Sequence, residues 1–502
     1  MAALRREIPR SLPADLEAMR AEIETHAREF GLDFFPVIFE VLDYEQMNQV
    51  AAYGGFPTRY PHWRHGMEYE HLSKSYTFGL HKIYEMVINN NPCYAYLLET
   101  NGIVDQKLVM GHVYAHCDFF KNNLYFAATD RKMVDRMANH AMRVRRYAER
   151  HGIDTIESFL DACLSIEDLI DPHAHAIRRE EAARAPSADP GEEPPLPVPQ
   201  RLRSKSYMQS FVNPPEYLEA QQRRIEEQAR RAHRHPESPV RDVLRFLLDN
   251  APLDAWQHDT LGMIREEAYY FLPQRQTKIM NEGWATYWHS RIMTERALRD
   301  SEVIEYADHH AGTVSTSPGR LNPYKIGVEL FRDIETRWNR GQFGPEYEAC
   351  QDLVSRQSWD RHLGLGREKI FAVRRLHSDV TFLDTFLDED FCRRNRLFTF
   401  AFDQKRDAWT VQSRDFRKVK EALLFQLTNL GGPMITVTDA NYQNRGELVL
   451  THQHEGLDLR EDYARETLVS LQRIWRRPVH IDSRWDGKPR LLGHNGESFT
   501  ES

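Results

Sequence analysis

Apolar residues in 11–30 recur among charged ones at helical spacing, and Ser11-Leu12-Pro13 supplies a cap and first turn, so the chain is expected to open with a helix. Residues 92–123 are long, apolar text broken at Asn101-Gly102, which predicts two helices, the second over about 105–120. More helix is predicted through Arg150, over 156–170, over 239–298 with a turn at Leu272-Pro273, and over 324–340. Residues 54–72 are crowded with aromatics, histidines and turn formers and lack a period; they read as an ordered loop packed on a core. After about Asn395 the text changes. The runs 397–402, 434–438 and 447–450 are rich in β-branched and aromatic residues and read as strands, with helices at 416–429 and 460–475. The expected fold class is a mainly α large domain, 1–390, followed by a small α+β C-terminal domain, 395–502. Residues 176–199, dominated by proline, alanine and glutamate, read as a flexible surface insertion.

Composition adds limits. A chain of 502 residues with 41% apolar content can build one large core and a smaller one. A net charge of -9 argues against a general nucleic-acid binder, and the basic run 223–239 is interleaved with acids and reads as a solvated helix. The five cysteines form no CxxC pair, which favours a reducing compartment over a disulfide framework. With neither a signal-like apolar run near the start nor a membrane-length apolar stretch, a cytoplasmic protein without a membrane span is expected.

The sharpest chemical signal is His112 and His116. Four residues apart on a helix, they share one face one turn apart, the spacing of HExxH zinc sites. Glu282, in Asn281-Glu282-Gly283-Trp284-Ala285, sits in helical apolar text where a carboxylate is costly to bury unless compensated, and is the expected third ligand. Two imidazoles and a carboxylate suit zinc, with iron or manganese also compatible, and three protein ligands leave a position open, as in catalytic zinc sites. Against this stands chance: the chain has 23 histidines, and HxxxH arises in ordinary helices. Val113 occupies the position of the HExxH glutamate base and cannot move a proton, which leaves three outcomes: another acid such as Glu99 or Glu267 serves, the metal is structural or sensory, or the domain is an inactive descendant of a hydrolase. His289, seven residues after Glu282, is a candidate fourth ligand, and Asp118 and Glu99 are candidate supporting acceptors for the histidines. His309, His310 and Tyr324 are candidate donors to a developing oxyanion; the plain alternative is a glycine- and proline-rich loop before the next helix. The run 59–65 either lines a pocket or packs structurally. Rossmann, Walker and nucleophile-elbow patterns are absent.

The strings FPTRYPHWRHGMEYE (56–70), NPCYAYLLETNGIVDQKLVMGHVYAHCDFFKNN (91–123), KSYMQSFVNPPEYLE (205–219), KIMNEGWATYWHSRIM (278–293) and NPYKIGVELFRDIE (322–335) resemble the stage V sporulation protein R (SpoVR) family. The resemblance implies a role in spore cortex formation, or in stationary-phase and stress physiology where the host does not sporulate. It also implies partnership with a PrkA-type serine protein kinase system and a neighbouring gene product. More loosely, NEGWA after HxxxH is similar to the third-ligand helix of gluzincin metallopeptidases, from which Val113 departs. Two functions therefore stand side by side: a metal-binding regulator or scaffold, and a metal-dependent hydrolase acting on a peptide or cell-wall-related substrate.

Overall fold

The protein is described from a computed structural model, which covers residues 12–77, 86–177, 214–232, 235–317, 320–403 and 406–502. Most of the expected insertion at 176–199 lies outside the described residues. Packing divides the chain into two units, one of residues 1–157 and 269–431, the other of 158–268 and 432–502. The boundary read at 390–395 thus falls inside the first unit, and the second also takes in a long central segment.

In the first unit, β1 (Val37–Leu42), β2 (Met86–Ile88) and β3 (Cys93–Leu98) form a sheet of order β1-β3-β2, with β1 parallel and β2 antiparallel to β3. Residues 93–98 were expected to be helical, and here the structure differs. Cys93, Ala95 and Leu97 enter the main core, while Tyr96 and Leu98 enter a second cluster with Met47, Met133 and Tyr270. A central strand buried on both faces is apolar throughout and shows no alternation, so its text resembles a buried helix.

The helix Ile103–Asn122 follows, capped by the extended Gly102. Every residue from Val104 to Phe120 is buried, so this helix is the axis of the unit. The helices Ala14–Glu29, Lys278–Ile292 and Gly366–Leu376 pack on it, and Pro323–Arg340 packs on the last two. Lys278–Ile292 has no cap of its own. The backbone N–H groups of Ile279 and Met280 instead donate to the Asp379 carboxylate at 2.8 and 2.9 Å, from a helix about a hundred residues later. Burial pushes the Asp379 carboxyl up to about 7. Asp379→Ala is expected to cost about 1–2 kcal/mol, as for other caps, read by urea unfolding; a change within error would show that the two amides find other acceptors.

Three further expectations are corrected. The loop over 54–72 is half helix, since Trp63–Thr77 is helical. The turn expected at Leu272-Pro273 lies inside the helix Ala255–Gln276, and the break comes at Thr277, whose hydroxyl donates to Pro273 O. His309 and His310 sit on a helix, Val303–Thr313, not on a loop.

A separate hairpin, β4 (Thr399–Asp403) and β5 (Ala408–Ser413), also belongs to the first unit. In the second unit, β6 (Ile435–Tyr442), β7 (Glu447–His452), β8 (Val479–Trp485), β9 (Lys488–His494) and β10 (Phe499–Glu501) form a sheet of order β10-β9-β8-β7-β6. Only β7 and β8 are parallel, and the helix Glu461–Trp475 connects them. Among the described residues no helix is long and apolar enough to cross a membrane.

Candidate metal centre

His112 and His116 project from one face of the axial helix, and Glu282 from the first turns of Lys278–Ile292, which packs along it. His112 Nε2 lies 3.6 Å and His116 Nε2 3.5 Å from the same oxygen, Glu282 Oε2. One ligand atom from each residue falls within 4.8 Å of the others, and among the described residues no other group of three His, Cys, Asp or Glu does so. Two ligands about 2.0–2.1 Å from a tetrahedral ion stand roughly 3.4 Å apart. The two nitrogen–oxygen separations are therefore long for hydrogen bonds and near the span that one ion bridges.

The protonation states suit metal donors. Burial, then the neighbouring His112, lowers His116 to about 4. Burial alone would push the Glu282 carboxyl up, but the two imidazoles and Lys278 outweigh it and hold it below its ordinary value. Near neutral pH the group is thus one anion beside an uncharged His116 imidazole, the form in which a histidine ligates. The two histidine side chains are almost fully enclosed, whereas that of Glu282 is 18% exposed, so access to the cluster is from the glutamate side.

Each histidine is held by its other ring nitrogen. His116 Nδ1 lies 2.9 Å from Asn281 Oδ1, an acceptor that fixes the proton on Nδ1 and leaves Nε2 its lone pair. His112 Nδ1 lies 2.8 Å from His289 Nδ1. His289, the candidate fourth ligand, is outside the ligand group: its Nδ1 meets His112 and its Nε2 lies 3.4 Å from His310 Nδ1. Burial, then the charge field of His112, holds His289 well below its ordinary pKa.

The other candidates are dispersed differently from expectation. Asp118 does not orient a histidine. Fully buried, it accepts from Trp284 Nε1 at 2.9 Å and from Asp33 N at 2.8 Å, with Arg374 Nε at 3.5 Å. Burial raises its carboxyl to about 6. Because Trp284 is two residues from Glu282, this bond ties the glutamate's helix to that of the histidines. Nearer the start of the axial helix, Lys107 binds the segment that follows the glutamate's helix, through Glu302 Oε2 at 2.7 Å and Ala297 O at 2.9 Å. Glu99 is exposed at the end of β3, before the axial helix begins; His112 lies nine residues into that helix, about 14 Å along its axis. Among the described residues the group of ligand atoms does not include Glu99. Glu267 is buried in the second unit and is not part of the cluster. His309 Nδ1 lies 2.6 Å from Asp105 Oδ1, two helical turns from His112. Tyr324 is close, its ring centroid 6.2 Å from that of His112. The run 59–65 packs: Tyr60, His62 and His65 are buried, with Tyr60 and His65 rings 5.7 Å apart. Sequence reasoning missed Asn281 as a supporting residue, though it adjoins Glu282, and Asp379, for which no local signal exists.

The family model for SpoVR like protein matches residues 11–432, and that for the SpoVR-like C-terminal domain matches 433–485. Neither supports the looser similarity to gluzincin metallopeptidases. The uncharacterized protein YcgB of Escherichia coli (strain K12) is 30% identical over 509 residues, spanning 95% of this chain and 93% of its own length. No solved structure matches the chain.

Proposed function

For a chain that belongs to the SpoVR-like family, we propose a metal-binding regulator or scaffold in which His112, His116 and Glu282 hold one divalent ion, zinc before iron or manganese. The observation that carries this is the approach of two helix-borne imidazole nitrogens to one carboxylate oxygen at 3.5 and 3.6 Å. Asn281 supports it, since an acceptor on Nδ1 is what a ligating histidine ordinarily has. The biological setting comes from the family resemblance: sporulation, with spore cortex formation, or stationary-phase and stress physiology. A PrkA-type serine protein kinase system and its neighbouring gene product are the partners that resemblance suggests.

A second reading, a metal-dependent hydrolase of peptide or amide bonds, is favoured by one observation. His289 engages the far nitrogen of His112, so an ion held by His112, His116 and Glu282 would keep a fourth position for water or substrate. When bound there, zinc would polarise a carbonyl and lower the pKa of a coordinated water. The chain's own part would be to hold that centre through Asn281 and His289 and to admit substrate past Glu282. The residue that follows the first histidine, where the HExxH base would stand, is Val113. That valine weighs toward the regulator.

Equilibrium titration of chelator-treated protein with zinc tests the metal reading; one site per chain is expected, and no binding at any practical concentration would defeat it. Asn281→Ala is expected to weaken that binding about 10- to 100-fold, the usual effect of removing a supporting partner. Unchanged affinity would mean that His116 needs no help from Asn281. Zinc-loaded protein assayed on peptide and amide substrates separates the two functions. Turnover that disappears in Glu282→Gln establishes the hydrolase, and its absence from the wild type leaves the regulator.

A further inference from the structure

We propose that His289 is the positioning residue that sets the ligating tautomer of His112, with His310 as the outer support of His289. This deepens the metal reading and rests on it. The two nitrogen–nitrogen separations fix the logic. At 2.8 Å, His112 Nδ1 and His289 Nδ1 are too close to flank an ion and at the right distance for a hydrogen bond, so one donates and the other accepts. For His112 to ligate through Nε2, that nitrogen must carry a lone pair, and in a neutral ring the proton is then on Nδ1. His112 Nδ1–H therefore donates to His289 Nδ1. Accepting on Nδ1, His289 carries its own proton on Nε2, which lies 3.4 Å from His310 Nδ1. His310 is left to accept there and carries its proton on Nε2. Three tautomers follow from one ligation.

The arrangement departs from the common one, in which a carboxylate, a backbone carbonyl or water takes the second proton of a metal-bound histidine. It is built by packing. At Gly111 the axial helix runs against His289, whose Cα would stand in ordinary contact, 3.7 Å, from a Cβ at that position, and the rings of His112 and His289 meet directly. Tyr306 stacks on His310 with centroids 5.6 Å apart and holds the outer ring. The inner bond is short and the outer one is at the long end of the range, so their contributions are expected to differ in that order.

The test is zinc affinity in three variants of the full chain. His289→Leu removes the acceptor and is expected to weaken zinc binding about 10- to 100-fold. His289→Asn places Oδ1 near where Nδ1 was and is expected to restore affinity to near that of the wild type. His310→Leu is expected to have a smaller effect than His289→Leu. Melting of the chelated proteins is the control, since a merely structural histidine would lose stability in the leucine variant and would not be rescued in affinity by asparagine. Wild-type affinity in His289→Leu, asparagine no better than leucine, or a larger effect at His310 than at His289 would each overturn the proposal. Failure of the wild type itself to bind zinc would defeat the metal reading and this inference with it.

Discussion

Removing His116 as alanine is expected to abolish the stabilisation that zinc confers on the protein. The wild type, with zinc at a hundred times its dissociation constant, should gain about 2.7 kcal/mol over the chelated form. His116→Ala should melt at the same temperature with zinc as with chelator. One of three protein ligands is lost, and the remaining imidazole and carboxylate belong to different helices, so their mutual placement no longer closes around an ion. The loss of affinity should exceed the roughly 100-fold upper end seen for supporting residues. His112→Ala and Glu282→Gln should behave alike, because one ligand atom of each of the three lies within 4.8 Å of the others. Glu99→Gln should leave the zinc response intact, since Glu99 is exposed beyond the axial helix. A zinc-dependent shift that survives in His116→Ala would move the ion elsewhere.

Gly283→Ala is expected to destabilise the protein by about 3 kcal/mol or more, the upper range for overpacking, and to weaken metal binding at the same time. A Cβ on Gly283 would stand 2.5 Å from Gly327 C and 2.9 Å from Val328 N. These are backbone atoms of the helix Pro323–Arg340 and cannot rotate away as a side chain would. The crossing is tight from both sides: a Cβ on Gly327 would stand 2.6 Å from Gly283 Cα. The two helices would have to part by about 1 Å to restore ordinary carbon–carbon contact. Glu282 is the next residue, so that displacement moves its carboxylate off the point shared with the histidines. Gly111→Ala is the contrast. Its nearest neighbours would be at 3.7 Å, ordinary contact, and alanine favours helix by up to about 1 kcal/mol, so stability should hold or rise. Chemical unfolding of the two variants, each with zinc and with chelator, reads both effects. A Gly283→Ala protein as stable as the wild type would mean that the helices are not packed through these two glycines.

What the sequence made legible was local. The His112–His116 pair is visible because four residues on a helix is a fixed geometry, and Glu282 because a carboxylate inside apolar helical text needs a reason. The helix Pro323–Arg340 was legible from its periodicity and from Asn322-Pro323 at its start, where the asparagine side chain accepts from Lys325 N. What was not legible depends on contacts between distant segments. His289 looks like a possible ligand by spacing, and only its place against His112 shows that its nitrogens are engaged elsewhere. Asp118 looks like an acceptor for the histidines, yet its position on the axial helix turns it toward Trp284 and Arg374. Asp379 caps a helix that begins a hundred residues earlier. β3 reads as helix because both its faces are buried. In β8, by contrast, Val479, Ile481 and Trp485 alternate inward with period two, a signal present in the text that the C-terminal reading leaves out.

The most direct measurement is anomalous diffraction from crystals of zinc-loaded protein, collected on both sides of the zinc absorption edge. The expected result is a single strong peak about 2.0–2.2 Å from His112 Nε2, His116 Nε2 and a Glu282 carboxylate oxygen. A zinc-saturated crystal with no peak there, or with its peak at another set of side chains, would contradict the metal centre.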